Sequence, residues 1–212
     1  MTVIPAINEK TFEEVAKKIR IAEDFLPANG WIHIDVADGI FTPNKTWNVP
    51  DELASFKTRL NFEVHLMVEK PEAVIDNWLK VGVKRLIIHL EAFAEPNFIL
   101  NVVKEYNAEI ILAANPVTPG DAISLYLGSF DFFQVLAVDP GLAGQKFQEK
   151  VLEKIKFLRS RNPAVKIEVD GGIDLETAKI VKAAGADIII SASYIFNHPA
   201  GPATGYRELA GV

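Results

Sequence analysis

Short runs of apolar and β-branched residues alternate along this chain with longer segments in which apolar residues recur at helical spacing. The first pattern is typical of β-strands and the second of amphipathic helices. The strand-like runs cover Val3–Ile7, Trp31–Val36, Phe62–Val68, Arg85–Glu91, Glu109–Ala114, Phe132–Val138, Lys166–Asp170 and Asp187–Ser193. The pattern therefore predicts eight strands separated by helical segments.

The helical segments carry start and stop signals that help to set their bounds. Thr11 and Glu14 have the spacing of a capping box before the first helix. Pro71 suits a first helical position, and Gly82 suits a C-terminal cap. In the tail, which is rich in Gly, Pro and Ala, only a turn or two of helix is expected, near Tyr206–Leu209. The other predicted helices cover Phe12–Ala22, Asp51–Phe56, Glu72–Val81, Asn97–Tyr106, Pro119–Leu127, Val151–Leu158 and the segment between Asp174 and Gly185.

Eight strands that alternate with helices over about 200 residues are typical of a (β/α)8 barrel, the TIM barrel, at its compact limit. A doubly wound open sheet is the alternative, but no G-x-G-x-x-G sequence follows the first strand. No linker or shift in composition divides the chain. The prediction is an α/β protein whose residues 1–212 form a single (β/α)8 barrel domain.

The amino-acid composition argues against several classes of binding partner and chemistry. The chain is 49% hydrophobic and 24% charged, as in ordinary globular proteins. Its formal net charge of -6 argues against nucleic acid or an anionic membrane as the main partner. It has no cysteine, so disulfide and thiolate chemistry are excluded. We recognise no secretory leader and no apolar run of the roughly 18–20 residues that span a membrane, so we expect a cytoplasmic protein.

The second strand carries the most informative pattern. Side chains alternate along a strand, so Ile32, Ile34 and Val36 share one face. His33 and Asp35 share the other face, about 6.5–7 Å apart along the strand. If that face is buried, the imidazole and the carboxylate need a partner, and a metal ion is a common one.

In a (β/α)8 barrel the active site lies at the carboxyl ends of the strands. His33, Asp35, His65 and Asp170 all lie near such ends on the faces opposite the apolar side chains, so they are expected to converge. Two imidazoles and two carboxylates suit one divalent ion, such as Zn, Fe, Mn or Co.

Other ionisable residues have less specific explanations. Glu63 and Glu168 lie one inward position deeper than the candidate ligands, where they are candidates to orient the histidines. A histidine on a strand is also often a hydrogen-bonded core residue, and that alternative stays open for each imidazole taken alone. A structural or supporting role is the favoured one for His89 with Glu91, and His198 is expected to be solvated in the tail.

Glycine-rich loops follow the sixth and seventh strands, and the small residues Ala192-Ser193 follow the eighth. Glycine lets backbone N–H groups approach an anion closely. Barrels often bind phosphate with the loops after strands seven and eight. Each glycine alone is also a common turn residue, but together these loops predict a phosphate site. The candidate residues are Gly141, Gly144, Gly171, Gly172, Ala192 and Ser193.

Five motifs occur in order along most of the chain. They are His33-Ile-Asp-Val-Ala-Asp-Gly39 followed by Pro43-Asn44, Glu63-Val-His-Leu-Met-Val68, His89-Leu-Glu-Ala92, Val138-Asp-Pro-Gly-Leu-Ala-Gly-Gln145 and Ile167-Glu-Val-Asp-Gly-Gly-Ile173. Together they resemble the ribulose-phosphate 3-epimerase family. The resemblance implies a ribulose-phosphate-binding type of barrel, an isomerase of the pentose phosphate pathway, and a homo-oligomer.

The resemblance also implies roles for individual residues. His33, Asp35, His65 and Asp170 would hold one divalent metal ion. Asp35 and Asp170 would be the acid/base pair that inverts C3 between D-ribulose 5-phosphate and D-xylulose 5-phosphate through an enediolate. The residues implied to contact the sugar phosphate are His65, Met67, Gly141, Gly144, Gly171, Gly172, Ala192 and Ser193.

The chain departs from the family pattern around the substrate. Ala6 stands where the family usually has serine, Ala37 and Leu136 where it commonly has methionine, and Ala143 and Ala192 where it has glycine. These departures leave the substrate open between a pentulose 5-phosphate and a hexulose 6-phosphate such as allulose 6-phosphate.

Two further functions compete with epimerisation. Related barrels that decarboxylate or condense sugars resemble an Asp-x-Lys-x-x-Asp pattern, whereas the stretch from His33 to Asp38 contains no lysine. A barrel that binds a sugar phosphate without catalysis is the other alternative. The intact set of candidate ligands argues against it.

Overall fold

Parallel strands form the centre of the computed structural model, which describes all 212 residues. The strands are β1 (Thr2–Ile7), β2 (Trp31–Ala37), β3 (Asn61–Met67), β4 (Arg85–His89), β5 (Glu109–Ala114), β6 (Phe132–Leu136), β7 (Lys166–Asp170) and β8 (Ile188–Ser191). They pair in chain order, and β8 pairs with β1 to close a barrel. The predicted (β/α)8 architecture is therefore confirmed.

Helices follow the strands and cover the outside of the barrel. Thr11 caps the first of them by accepting from the Glu14 N–H at 3.3 Å, as its spacing predicts. The helices are α1 (Phe12–Glu23), α2 (Pro50–Ala54), α3 (Ile75–Lys80), α4 (Pro96–Glu105), α5 (Gly120–Ser124), α6 (Val151–Arg161), α7 (Leu175–Ala184), α8 (Ser193–Phe196) and α9 (Pro202–Ala210), with a 3-10 turn at Pro71–Ala73. None of them has the length and apolar content that crossing a membrane requires.

The main apolar core lies between the strands and the helices. Ile32, Ile34 and Val36 of β2 are almost fully buried in this layer. Burying each such side chain stabilises the fold by about 1.5–3 kcal/mol. The opposite faces of the strands point into the barrel and carry buried polar residues, among them His33 and Glu63. The outer apolar layer thus stabilises the barrel, so the inner face is able to carry polar residues that do not contribute to this core.

Several element bounds differ from the prediction. The helix expected at Glu72–Val81 is divided into the 3-10 turn and α3, because Val74 has a φ of -123° outside the helical range. β4 and β6 end two residues earlier than predicted. The eighth strand ends at Ser191, and α8 begins two residues later.

The C-terminal tail has the helix predicted near Tyr206–Leu209, but the helix is longer than expected. It is α9, a helix of nine residues that starts at Pro202 and buries Leu209. The His198 side chain is only 12% exposed and lies 3.3 Å from a Glu208 oxygen, so it is not solvated as expected. Packing of the apolar side of α9 stabilises a helix that the Gly- and Pro-rich composition alone does not favour.

Candidate active site

Strands β2, β3 and β7 bring together four side chains at one end of the barrel. His33 and Asp35 lie on β2, His65 is the register partner of Asp35 on β3, and Asp170 is the last residue of β7. Asp35 Oδ1 lies 3.2 Å from His33 Nε2 and 3.1 Å from His65 Nδ1. Asp170 Oδ2 lies 3.7 Å from His65 Nδ1. The expected convergence of these residues is present in the fold.

The donor atoms of this cluster fit a divalent ion. One ligand atom from each residue lies within 4.8 Å of the others. Two atoms bound about 2.1 Å from a tetrahedral ion are separated by about 3.4 Å, which matches the spacing here. Two imidazole nitrogens with two carboxylates also supply the ligand types that first-row transition ions accept. The cluster is therefore able to hold a metal ion.

Each histidine of the cluster uses its second ring nitrogen elsewhere. His33 Nδ1 lies 2.9 Å from Glu63 Oε1, so donation to Glu63 would leave Nε2, which is 3.2 Å from Asp35 Oδ1 in the metal-free protein, to face a bound cation. His65 Nε2 lies 2.8 Å from His89 Nε2, and His89 Nδ1 lies 3.3 Å from Glu91 Oε2. With a cation bound, donation from His65 to His89 and from His89 to Glu91 would likewise leave His65 Nδ1 to face the cation. Such partners fix both the tautomer and the ring orientation.

The deeper glutamates differ sharply from each other. Glu63 accepts from His33 and, at 2.5 Å, from Arg85 Nη1, while Arg85 also contacts Glu109. Glu168 is fully buried, and neither of its carboxylate oxygens has a hydrogen-bond partner. Contrary to expectation, it orients no histidine. Burial, reinforced by the charge of Glu63, raises the pKa of Glu168 well above its ordinary value, which favours its neutral form.

The two aspartates have opposite electrostatic surroundings. Burial raises the pKa of Asp35, but hydrogen bonds from His33 and His65 outweigh it and hold that pKa well below its ordinary range. For Asp170, burial and the nearby charge of Asp35 raise the pKa to about 7. Burial lowers the pKa of His33, but hydrogen bonds to Asp35 and Glu63 reverse this and raise it well above its ordinary value. A carboxylate pair with separated pKa values suits acid/base chemistry.

A cavity with about 50 Å³ of free space lies beside the two aspartates. Ala6 and Leu136, two of the positions that depart from the family pattern, are among its lining residues. All the residues expected to contact a sugar phosphate also line it, namely His65, Met67, Gly141, Gly144, Gly171, Gly172, Ala192 and Ser193.

The glycine-rich loops present free backbone donors to this cavity. The N–H groups of Gly144, Gly172 and Ala192 donate no hydrogen bond within the protein. Gly172 has a φ of +67°, and a Cβ there would lie 2.5 Å from the Phe147 nitrogen. The loop therefore needs glycine both for its conformation and for its close approach to the neighbouring chain. Unpaired N–H groups in such loops are suited to an anion.

Sequence reasoning missed two amides that contact the aspartates. Asn8 Nδ2 donates to Asp35 Oδ2 at 2.9 Å, and Gln134 Nε2 donates to Asp170 Oδ2 at 3.1 Å. The alternation along β6 places Gln134 on the inward face with Leu136, so a buried polar residue there was a usable signal. Asn8 lies just after β1, and no periodic pattern marks it.

Solved structures resemble this barrel at low sequence identity. The 3-hexulose-6-phosphate synthase from Salmonella typhimurium superposes with a TM-score of 0.73 at 18% identity, covering 100% of this chain and 97% of that one. The orotidine 5'-phosphate decarboxylase from Pyrococcus horikoshii OT3 gives a TM-score of 0.67 at 18% identity, covering 100% of both chains. At this identity the similarity establishes the TIM-barrel fold alone.

Similarity in sequence identifies the family, which similarity in fold does not. The ribulose-phosphate 3-epimerase of Chlamydia muridarum is 38% identical over 173 residues, which are 78% of this chain and 75% of that protein. The ribulose-phosphate 3-epimerase of Methanocaldococcus jannaschii is 38% identical over 189 residues, 87% of this chain and 77% of its own. The model of the ribulose-phosphate 3 epimerase family matches residues 2–196. With this match over nearly all of the barrel, the chain belongs to the ribulose-phosphate 3-epimerase family.

Proposed function

We propose that this epimerase inverts C3 of a ketose phosphate, D-ribulose 5-phosphate and D-xylulose 5-phosphate, with Asp35 and Asp170 as its acid/base pair. The observation that carries this proposal is the approach of both carboxylates to one His65 nitrogen beside the cavity. Asp35 Oδ1 is 3.1 Å and Asp170 Oδ2 is 3.7 Å from His65 Nδ1. The two acids come from β2 and β7, so a substrate between them meets one acid on each face.

Epimerisation next to a ketone needs a proton removed from one face of C3 and another delivered to the opposite face. One aspartate takes the proton as a carboxylate, and the other delivers one as a carboxylic acid, with the roles exchanged in the reverse direction. In the metal-free protein the low pKa of Asp35 and the pKa of about 7 for Asp170 show that the two acids have different surroundings, as a pair with different roles in each direction would.

His33, Asp35, His65 and Asp170 are the proposed ligands of one divalent ion, for which Zn, Fe, Mn and Co are candidates. Such an ion, when bound, supplies positive charge that stabilises the enediolate oxygens. Glu63, through its contact with His33, would hold one ligand ring in place. Removal of the ion should abolish turnover and be reversed by adding it back.

The substrate phosphate is proposed to bind the unpaired N–H groups of Gly144, Gly172 and Ala192. Backbone donors select for an anion and leave the rest of the sugar to be distinguished by side chains. Met67, Gly141 and Ser193 also line the proposed site.

A hexulose 6-phosphate such as allulose 6-phosphate is the second candidate substrate. Ala6, together with Leu136, lines the cavity where the family usually carries serine and methionine. Ala6 lacks the serine hydroxyl, and Leu136 differs from methionine in shape at similar volume, so both changes alter the surroundings of the sugar. Comparing kcat/KM for ribulose 5-phosphate and allulose 6-phosphate separates the two substrates.

Proton NMR in D2O tests the reaction itself. We expect the C3 hydrogen of ribulose 5-phosphate to exchange with solvent deuterium while xylulose 5-phosphate accumulates. Binding without any exchange in metal-replete protein would favour a non-catalytic barrel. A single barrel domain, a homo-oligomeric state and a cytoplasmic location stay predictions, and light scattering and cell fractionation test the latter two.

A further inference from the structure

Each proposed acid/base residue accepts a hydrogen bond from one primary amide. Asn8 Nδ2 donates to Asp35 Oδ2 at 2.9 Å. Gln134 Nε2 donates to Asp170 Oδ2 at 3.1 Å. The two amides come from different parts of the fold, since Asn8 follows β1 and Gln134 lies in the middle of β6. The site thus has one separate amide donor for each aspartate.

Fold stability does not explain why residue 134 is a glutamine. It is fully buried, and its own carbonyl oxygen has no hydrogen-bond partner. A buried unpaired carbonyl opposes folding, and a leucine of similar size would avoid this. Its register neighbour Glu168 also lacks a partner, yet the amide donates to Asp170 instead. The contact that the residue does make is therefore to the reacting carboxylate.

Asn8 is held in place from the other side. Its amide also donates to the Gly141 carbonyl at 3.1 Å, and Asn44 Nδ2 donates to the same carbonyl at 3.0 Å. Both N–H bonds of the Asn8 amide have acceptors, so its direction toward Asp35 is fixed. A carboxylate with one oxygen anchored in this way keeps the other oxygen at a defined angle.

We propose that Asn8 and Gln134 are positioning residues, each aiming one aspartate at its own face of C3. The inference rests on the proposed function, because it assumes that Asp35 and Asp170 carry the protons. Proton transfer is sensitive to the distance and angle of the base. Loss of one amide should therefore slow the transfer on one face and leave the other unchanged.

A selective slowing has a directional signature. When an aspartate acts as the base, it breaks the C3–H bond, and slowing this step raises the primary isotope effect of C3-deuterated substrate. In the reverse reaction the same aspartate delivers the proton last, so that step limits the rate and the primary isotope effect falls. A general disturbance of the site would change both directions alike.

The experiment measures primary deuterium isotope effects on kcat/KM with C3-deuterated ribulose 5-phosphate and xylulose 5-phosphate. The variants are Asn8→Leu and Gln134→Leu, with Gln134→Met as the second variant if leucine prevents folding. We expect kcat to fall about 10- to 100-fold, the effect of one hydrogen bond to a charged group, with KM within about twofold. Isotope effects should rise in one direction for Asn8→Leu and in the opposite direction for Gln134→Leu.

The matched control is Ile111→Val, which shortens a fully buried barrel residue outside the cavity lining. It should lower stability without changing either isotope effect. Metal content is measured for every variant, because a lost ion would slow both directions. Unchanged isotope effects, or equal changes in both directions, would overturn the inference. If Asp35→Asn and Asp170→Asn keep normal turnover, the proposed function fails; if they are inactive while the amide variants behave normally, only the positioning role fails.

Discussion

The two sides of the site are built differently. On β2 and β3, the carboxylates have several donors: Asp35 accepts from Asn8 and lies within hydrogen-bond distance of two histidines, and Glu63 accepts from Arg85. On β7, Asp170 accepts one hydrogen bond, from Gln134. Glu168, on the same strand, accepts none. The negative charge on β2 and β3 is compensated by the protein, whereas that on β7 is not.

This difference indicates which side responds to conditions. Several donors hold a carboxylate in one orientation, and those around Asp35 also keep its pKa below the ordinary range, so Asp35 stays ionised. A buried carboxyl with few donors takes up a proton unless a cation is near, as the raised pKa values of Asp170 and Glu168 show. The β7 side is therefore where protons and a metal ion compete. The following predictions test this contrast.

The largest effect is expected from neutralising either aspartate. Asp35→Asn and Asp170→Asn should each lower kcat by about 100- to 10,000-fold, because an amide cannot carry the proton. Asp121→Asn, on the surface of α5, is the matched control and should keep normal turnover. Steady-state assays in both directions measure the effect. Unchanged turnover of Asp170→Asn would refute the acid/base assignment.

The buried glutamates should differ in stability. Glu63→Gln breaks a buried contact with Arg85 and should lower the free energy of unfolding by about 3 kcal/mol. Glu168→Gln removes no hydrogen bond and should change it by less than about 1 kcal/mol. Urea denaturation at pH 8 compares them. Equal losses of unfolding free energy would mean that the hydrogen bonds of Glu63 do not stabilise the fold.

Metal retention should depend on His65. His65→Ala removes a proposed ligand and should weaken metal binding by at least about 10- to 100-fold, the loss seen when only supporting residues are changed. His198→Ala, in the tail beside Glu208, is the matched control. Elemental analysis after dialysis measures the retained metal. A full metal complement in His65→Ala would contradict the ligand set.

The smallest effect concerns pH. The pKa of Asp170 is raised to about 7 in the folded protein, above that of an unfolded aspartate, so the unfolded state holds fewer protons. Deprotonation of Asp170 should therefore remove about 1 kcal/mol of unfolding free energy from the metal-free protein between pH 6 and pH 8, whereas His65 and His89, whose pKa values burial lowers, act in the opposite direction. The raised pKa of His33 acts in the same direction as that of Asp170, because its stabilising proton is also lost as the pH rises.

Denaturant titrations of metal-free protein at the two pH values check this prediction. Asp170→Asn has no proton to lose at this position, so its unfolding free energy should fall about 1 kcal/mol less than that of the unsubstituted protein between the two pH values. Bound metal should remove this difference, since binding requires His33 and Asp170 to be deprotonated. An equal dependence on pH in the two metal-free proteins would contradict the assigned protonation of Asp170.

The sequence predicts the inward residues well because side chains alternate along every strand. The apolar face of β2 indicates that His33 and Asp35 point inward, and closure of the barrel then brings them to β7. Hydrogen-bond partners are harder to predict, since they depend on register and on the reach of side chains from neighbouring strands. Arg85 of β4 donates to Glu63, whereas Glu168 has no hydrogen-bond partner. The positions of the two glutamates in the sequence do not reveal this difference.

The Gly141 carbonyl has a consequence for engineering this barrel. It accepts from Asn8 and Asn44, so loops that follow β1, β2 and β6 meet at a single backbone atom. Moving the loop after β6 would take the acceptor away from both amides, and replacing either of the other loops would take one donor away from Gly141. Libraries that aim to change substrate preference should therefore exchange the three loops as a set.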